Sequence, residues 1–105
     1  IRTKGDFDAK GVDEIICVSV NDPFVMAAWA KDTGAAEAGL TFLGDAGAEF
    51  TKAIGMNWTA EPAGFYDRSR RYALYAEDGV IKALNIEEGP GVCELSAGET
   101  LLGQI

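Results

Sequence analysis

The sequence predicts an α/β layer domain, a mixed central sheet with flanking helices, and three observations carry that prediction. Short β-rich runs alternate with capped helical segments. The first such run, residues 15–20, is continuously apolar, as strands of parallel sheets are. A late pair of β-rich runs around Asp78-Gly79 carries the signature of an antiparallel hairpin. At 105 residues, 48% of them hydrophobic and 25% charged, a single domain over residues 1–105 with one core is expected.

The elements follow in order. Residues 1–11 are polar and Gly-punctuated, and "FDAKG" reads as the last turn of a helix closed by Gly11 in a left-handed cap. "IICVSV" is too short for a helix and reads as a strand buried on both faces. Asp22 can cap, and Pro23 can open, the helix "PFVMAAWAKD", which runs up to Gly34. "LTFLGD" is a second short strand. Its Asp45 can cap the helix "AGAEFTKAI", with Phe50 and Ile54 on one face and Gly55 at the end. "NWTAEPAGFYDRS" reads as a long loop rich in aromatic and small residues. "RRYALYAEDGVIKALNI" is a hairpin on a primed turn, and "EEGPG" is a sharp turn. Ser96 with Glu99 forms a capping box for the last helix, "AGETLLGQI".

Charge and composition exclude several functions. A net charge of −8 repels phosphate backbones and anionic membrane surfaces, so neither nucleic acid nor membrane is expected as a partner. The chain has no histidine and only two cysteines, far apart, so it offers no four-ligand zinc site and no Ser-His-Asp hydrolase. No metal or bound cofactor is called for. There is no long apolar span and no signal-peptide pattern at the first residues, so the chain reads as a soluble, cytoplasmic protein.

Three groups of residues could carry chemistry. Cys17 lies inside the first strand, where a thiol lacks a neighbouring cation and packs as a small hydrophobe; core filling is the expected role. Cys93 lies in the turn-rich "GPGVCELS". There the following helix N-terminus favours a thiolate while Glu87, Glu88 and Glu94 oppose it, leaving a redox role and an incidental surface thiol both open. Arg68, Arg70 and Arg71 form the one dense positive cluster, either a solvated, ion-paired loop end or an arginine placed to fix an anion or thiolate with its planar fork. Phe24, Met26 and Trp29 form an apolar surface whose default is core packing, with Phe24 placed to serve an interface.

Several stretches together carry a resemblance: "GVDEIICVSVNDPFVMAAWAK", "EFTKAIG", "RSRRYALYAEDGVIKALNIEE" and "GPGVCELSAGETLLGQI". From about Gly11 to Ile105 the chain resembles the type-II, peroxiredoxin-5-like peroxiredoxins, thiol peroxidases with a thioredoxin-like fold. The order β-α-β-α-β-β-α fits the later part of that fold.

The resemblance implies a thiol-dependent peroxidase acting on hydrogen peroxide and alkyl hydroperoxides. Its reductant would be thioredoxin or glutaredoxin with glutathione, and it would form a homodimer. By the same resemblance Arg71 falls on the arginine that stabilises the reactive thiolate and orients the peroxide. Cys93 falls on a position that supplies a resolving cysteine in some members, and Cys17 on a non-essential strand cysteine. The family's Pro-x-x-x-Thr-x-x-Cys motif does not occur in these residues. The expectation is therefore a chain missing the N-terminal strands and active-site helix, and with them a strand between residues 15–20 and 71–76. It would be part of a longer active peroxidase, a fragment completed by another chain, or an inactive relative that serves as a dimerisation or binding module.

Overall fold

Three two-stranded ladders and four short helices make up the structure, a computed structural model that describes residues 1–89 and 93–105. Helix α1 (Lys4–Ala9) buries Phe7 and is followed by Gly11 at φ 84°, the left-handed residue expected there. That reversal lets the Val12 amide donate back to the Phe7 carbonyl at 3.2 Å.

Strand β1 (Ile16–Ser19), helix α2 (Pro23–Asp32) and strand β2 (Thr41–Gly44) form a parallel β-α-β unit with Cys17 opposite Phe42. The helix starts where the sequence places it: the Val25 amide donates to the Asp22 carboxylate at 2.8 Å and Pro23 opens the first turn. It buries Met26 and Ala30, while Trp29 packs edge-on against Phe42 with ring centres 5.0 Å apart. Phe24 stays 86% exposed. Strand β1 departs from the expectation of burial on both faces, because Ile16 is 51% exposed and Cys17 only half-buried. Among the described residues β2 alone pairs with β1, which leaves the other edge of β1 open.

Helix α3 (Glu49–Ala53) is shorter than the predicted 46–54, since Ala48 takes a left-handed φ of 58° just before it. Its buried residue is Thr51, off the Phe50–Ile54 face. Thr51 is fully buried and Phe50 is 48% exposed, because the Asp45 carboxylate accepts from the amides of Phe50 and Thr51 and from the Thr51 hydroxyl. Asp45 thus caps the helix, as expected, but from several residues upstream.

The predicted loop over residues 57–69 is instead a hairpin of β3 (Asn57–Ala60) and β4 (Phe65–Ser69) around a short 3-10 turn, Glu61–Ala63. Trp58 drives it. Its indole N–H donates to the Ser69 carbonyl at 3.1 Å and its ring meets Phe65 edge-on at 5.5 Å.

The second hairpin, β5 (Tyr72–Glu77) with β6 (Val80–Ile86), appears where the sequence puts it. Asp78 and Gly79 both take positive φ, 50° and 79°, as a primed turn demands. Helix α4 (Gly98–Leu102) lacks the predicted capping box. The Ser96 hydroxyl donates to Glu87 instead, and Glu99 pairs with Arg2.

Parallel and antiparallel pairing are both present, as a mixed thioredoxin-like arrangement requires. Among the described residues, however, the expected central sheet is three separate ladders, with no strand between β1 and β5 to relay hydrogen bonds. The buried apolar set is small: Phe7, Met26, Ala30, Ala35, Ala48, Met56 and Leu101. The accessible surface of 6932 Å² exceeds the ~5,700 Å² of a compact monomer of this mass, and large side chains such as Phe24 and Tyr66 contribute to it. No described helix is long and apolar enough to cross a membrane.

Candidate active site

The two residues singled out for chemistry, Arg71 and Cys93, flank the far end of the β5–β6 hairpin. Arg71 immediately precedes β5 and lines an open concavity of about 430 Å³ together with Trp58, Ser69, Arg70, Glu87, Glu88 and Gly89. Its side chain is exposed and forms no ion pair among the described residues. All three arginines of the cluster are solvated, as the alternative expectation has them, but none forms an ion pair among the described residues. Arg68 lies over the Phe65 ring with its guanidinium carbon 5.5 Å from the ring centre, and Arg70 donates to the Glu87 carbonyl at 3.3 Å. The concavity thus presents Arg71 as a cation free to meet an anion.

Cys93 is an exposed free thiol directly after residues 90–92, which lie outside the described part, as do the last two residues of the predicted "EEGPG" turn. The segment after it is firmly held. The Glu94, Leu95 and Ser96 amides donate to the Glu87 carboxylate at 2.7, 3.1 and 3.0 Å, and the Ser96 hydroxyl donates at 2.6 Å. Glu87 is only 3% exposed. The Ser96 hydroxyl above all, then the three amides, hold its carboxyl down at about 2 despite its burial.

Glu87 is the residue that sequence reasoning missed, having entered only as a charge opposing a thiolate at Cys93. Its carboxylate is instead spent on the backbone after Cys93. No local pattern distinguishes it from Glu88, because its donors lie seven to nine positions on.

Cys17 is not brought to this site. It sits in β1, and partial burial pushes its thiol up, the direction that suppresses a nucleophilic thiolate. Tyr72, at the start of β5, has its phenol pushed up first by burial and then by the charges of Asp45 and Cys17.

Comparison with known proteins agrees with this architecture. The Redoxin family model matches residues 2–102. The chain is 50% identical over 103 residues to peroxiredoxin-2E-2, chloroplastic, of Oryza sativa subsp. japonica, covering 96% of this chain and 46% of that one. It is 44% identical over 99 residues to peroxiredoxin-2F, mitochondrial, of Arabidopsis thaliana, covering 94% and 49%. The chain therefore spans about half the length of the curated relatives it matches. Among solved structures, reduced Prx3 of Vibrio vulnificus in complex with hydrogen peroxide superimposes with a TM-score of 0.90 at 41% identity, over 100% of this chain and 66% of that one. Peroxiredoxin 5 of Alvinella pompejana gives 0.81 at 35% identity, over 96% and 61%. The thioredoxin-like fold, the sequence matches and the family model agree: the chain belongs to the Redoxin family, among the type-II, peroxiredoxin-5-like peroxiredoxins.

Proposed function

We propose that this chain is the arginine-bearing part of a thiol peroxidase that reduces hydrogen peroxide and alkyl hydroperoxides. The observation that carries the reading is Arg71, exposed in an open concavity and unpaired among the described residues. A planar, permanently charged fork there lowers the pKa of a thiol brought to it and holds a peroxide oxygen in line. The attacking thiolate would come from the family's Pro-x-x-x-Thr-x-x-Cys motif, which is not among these residues. Its sulfur takes the terminal oxygen of the peroxide to become a sulfenic acid, and the O–O bond breaks to release water or an alcohol. Cys93 then condenses with the sulfenic acid, forming a disulfide and releasing one water. Thioredoxin, or glutaredoxin with glutathione, returns both sulfurs to thiols. The peroxide bound in the Vibrio vulnificus relative supports the choice of substrate.

The protein's location in this reading is the cytoplasm, and its assembly is a homodimer to which Phe24, 86% exposed at the first turn of α2, would contribute. The same exposed phenylalanine favours the second reading, a catalytically inactive dimerisation or binding module.

The deciding experiment is intact mass of the protein from its source before and after a stoichiometric pulse of hydrogen peroxide, with peptide mapping. An upstream cysteine oxidised to sulfenic acid or bonded to Cys93 supports the peroxidase. A mass equal to these residues, with Cys17 and Cys93 both still reduced, overturns it in favour of the module. Fractionation of the source cells tests the compartment, since the relatives named above are chloroplastic and mitochondrial.

A further inference from the structure

Glu87 joins the two ends of the candidate site through a single residue. Its amide donates to the Arg71 carbonyl at 2.9 Å, and its own carbonyl accepts from the Arg70 guanidinium at 3.3 Å, which fixes its backbone to the segment entering β5. Its carboxylate reaches the other way, into three successive amides that begin at the residue after Cys93. One oxygen takes the Glu94 and Ser96 amides and the Ser96 hydroxyl, and the other takes the Leu95 amide. Consecutive amides converging on one anion form a nest, which binds a carboxylate far better than a neutral group.

We propose that Glu87 is a positioning residue, tethering the backbone that follows Cys93 to the segment at Arg71 and so holding Cys93 at a fixed place relative to that arginine. The use made of Cys93 rests on the resolving role proposed above; the tether itself does not. The substitution Glu87→Gln would set an NH₂ group against an amide donor and remove the charge, so the nest would be left partly unsatisfied. The segment would then open locally, while the β5–β6 ladder, held by its own backbone pairing, would not.

The test places a nitroxide spin label on Cys93 in a Cys17→Ser background and compares Glu87 with Glu87→Gln. Amide exchange is followed at residues 94–96 and along the β5–β6 ladder. A control label sits on β6 through Lys82→Cys with Cys93→Ser. In Glu87→Gln the Cys93 label spectrum is expected to narrow and exchange at residues 94–96 to quicken about tenfold, with the control label unchanged and the ladder amides quickened by clearly less than residues 94–96. Ser96→Ala, which removes one donor of the four, should move both readouts less and in the same direction, and it serves if Glu87→Gln does not fold. Unchanged spectra and exchange overturn the proposal. So does a change of equal size at residues 94–96 and at the ladder, with the control label narrowing as well, which would make Glu87 a residue of general stability alone. None of these readouts involves peroxide, so loss of the tether and loss of the peroxidase reading are separate results.

Discussion

The Asp45 carboxylate accepts from both the amide and the hydroxyl of Thr51, at 2.8 and 2.7 Å, and this pair sets the start of α3 and the direction it faces. The Thr51 hydroxyl is also the leading cause of the lowered Asp45 pKa. Thr51→Val keeps the shape of the side chain and removes the hydroxyl. It is expected to lower the urea midpoint and to bring the Asp45 carboxyl, followed by NMR titration, back toward 3.8. An unmoved Asp45 titration would show that the amides alone hold it.

Glu87 makes the fold acid-sensitive in a defined window. Its carboxyl sits at about 2 in the folded chain against 4.5 when free, so the stabilisation it gives is complete above about 4.5 and is lost as pH falls toward about 2. Asp45, also lowered, acts in the same direction below its free value of 3.8. Chemical denaturation between pH 7 and 2 should show stability falling across that window, and Glu87→Gln should be less stable at pH 7 with a shallower fall. Equal slopes for both proteins would contradict the assignment.

Gly44, at the end of β2, is a position where sequence shows nothing unusual and the structure is tight. A Cβ there would stand 2.5 Å from the Asn21 carbonyl oxygen, a backbone atom that cannot swing aside. Gly44→Ala is therefore expected to cost about 1–3 kcal/mol, read from the shift in a denaturant midpoint at unchanged m-value. A neutral result would mean that the turn after β1 yields at little cost.

The two cysteines should separate cleanly by reactivity. Cys17 is half-buried with its thiol pushed up by desolvation, while Cys93 is exposed. Alkylation by iodoacetamide at pH 8, quenched over time and mapped by mass, is expected to label Cys93 well before Cys17. Faster labelling of Cys17 would argue that β1 opens.

Arg71 is tested by its geometry as well as by its charge. On the proposed peroxidase reading, Arg71→Ala should lower kcat/KM for hydrogen peroxide on the order of 100-fold in a protein that also carries the attacking cysteine, and Arg71→Lys should recover only part of that. Activity unaffected by either change would remove Arg71 from the reaction.

Much of the fold was legible because it is written in short-range chemistry. Asp22-Pro23 fixes the start of α2 and Asp78-Gly79 fixes the primed turn, each through neighbours within a few positions. The hairpin over residues 57–69 was hidden because Pro62 and Gly64 carry a loop signature. The contact that makes it a hairpin, Trp58 to the Ser69 carbonyl, spans eleven positions. The capping box at Ser96 failed for a related reason: a buried carboxylate following β6 captured the hydroxyl that local rules assign to the helix.

For this protein the sequence by itself determined the alternation of strands and helices and the type of the last hairpin, while the chemistry proposed for Arg71 and Cys93 follows from the family resemblance. Tertiary structure alone decided that Thr51 faces inward, that Glu87 binds the segment after Cys93, and that Arg71 stands unpaired, among the described residues, in an open concavity. Turns and caps are fixed by groups adjacent in the chain, where sequence spacing is distance. A buried carboxylate takes whichever donors the packed chain delivers to it, and spacing does not name them.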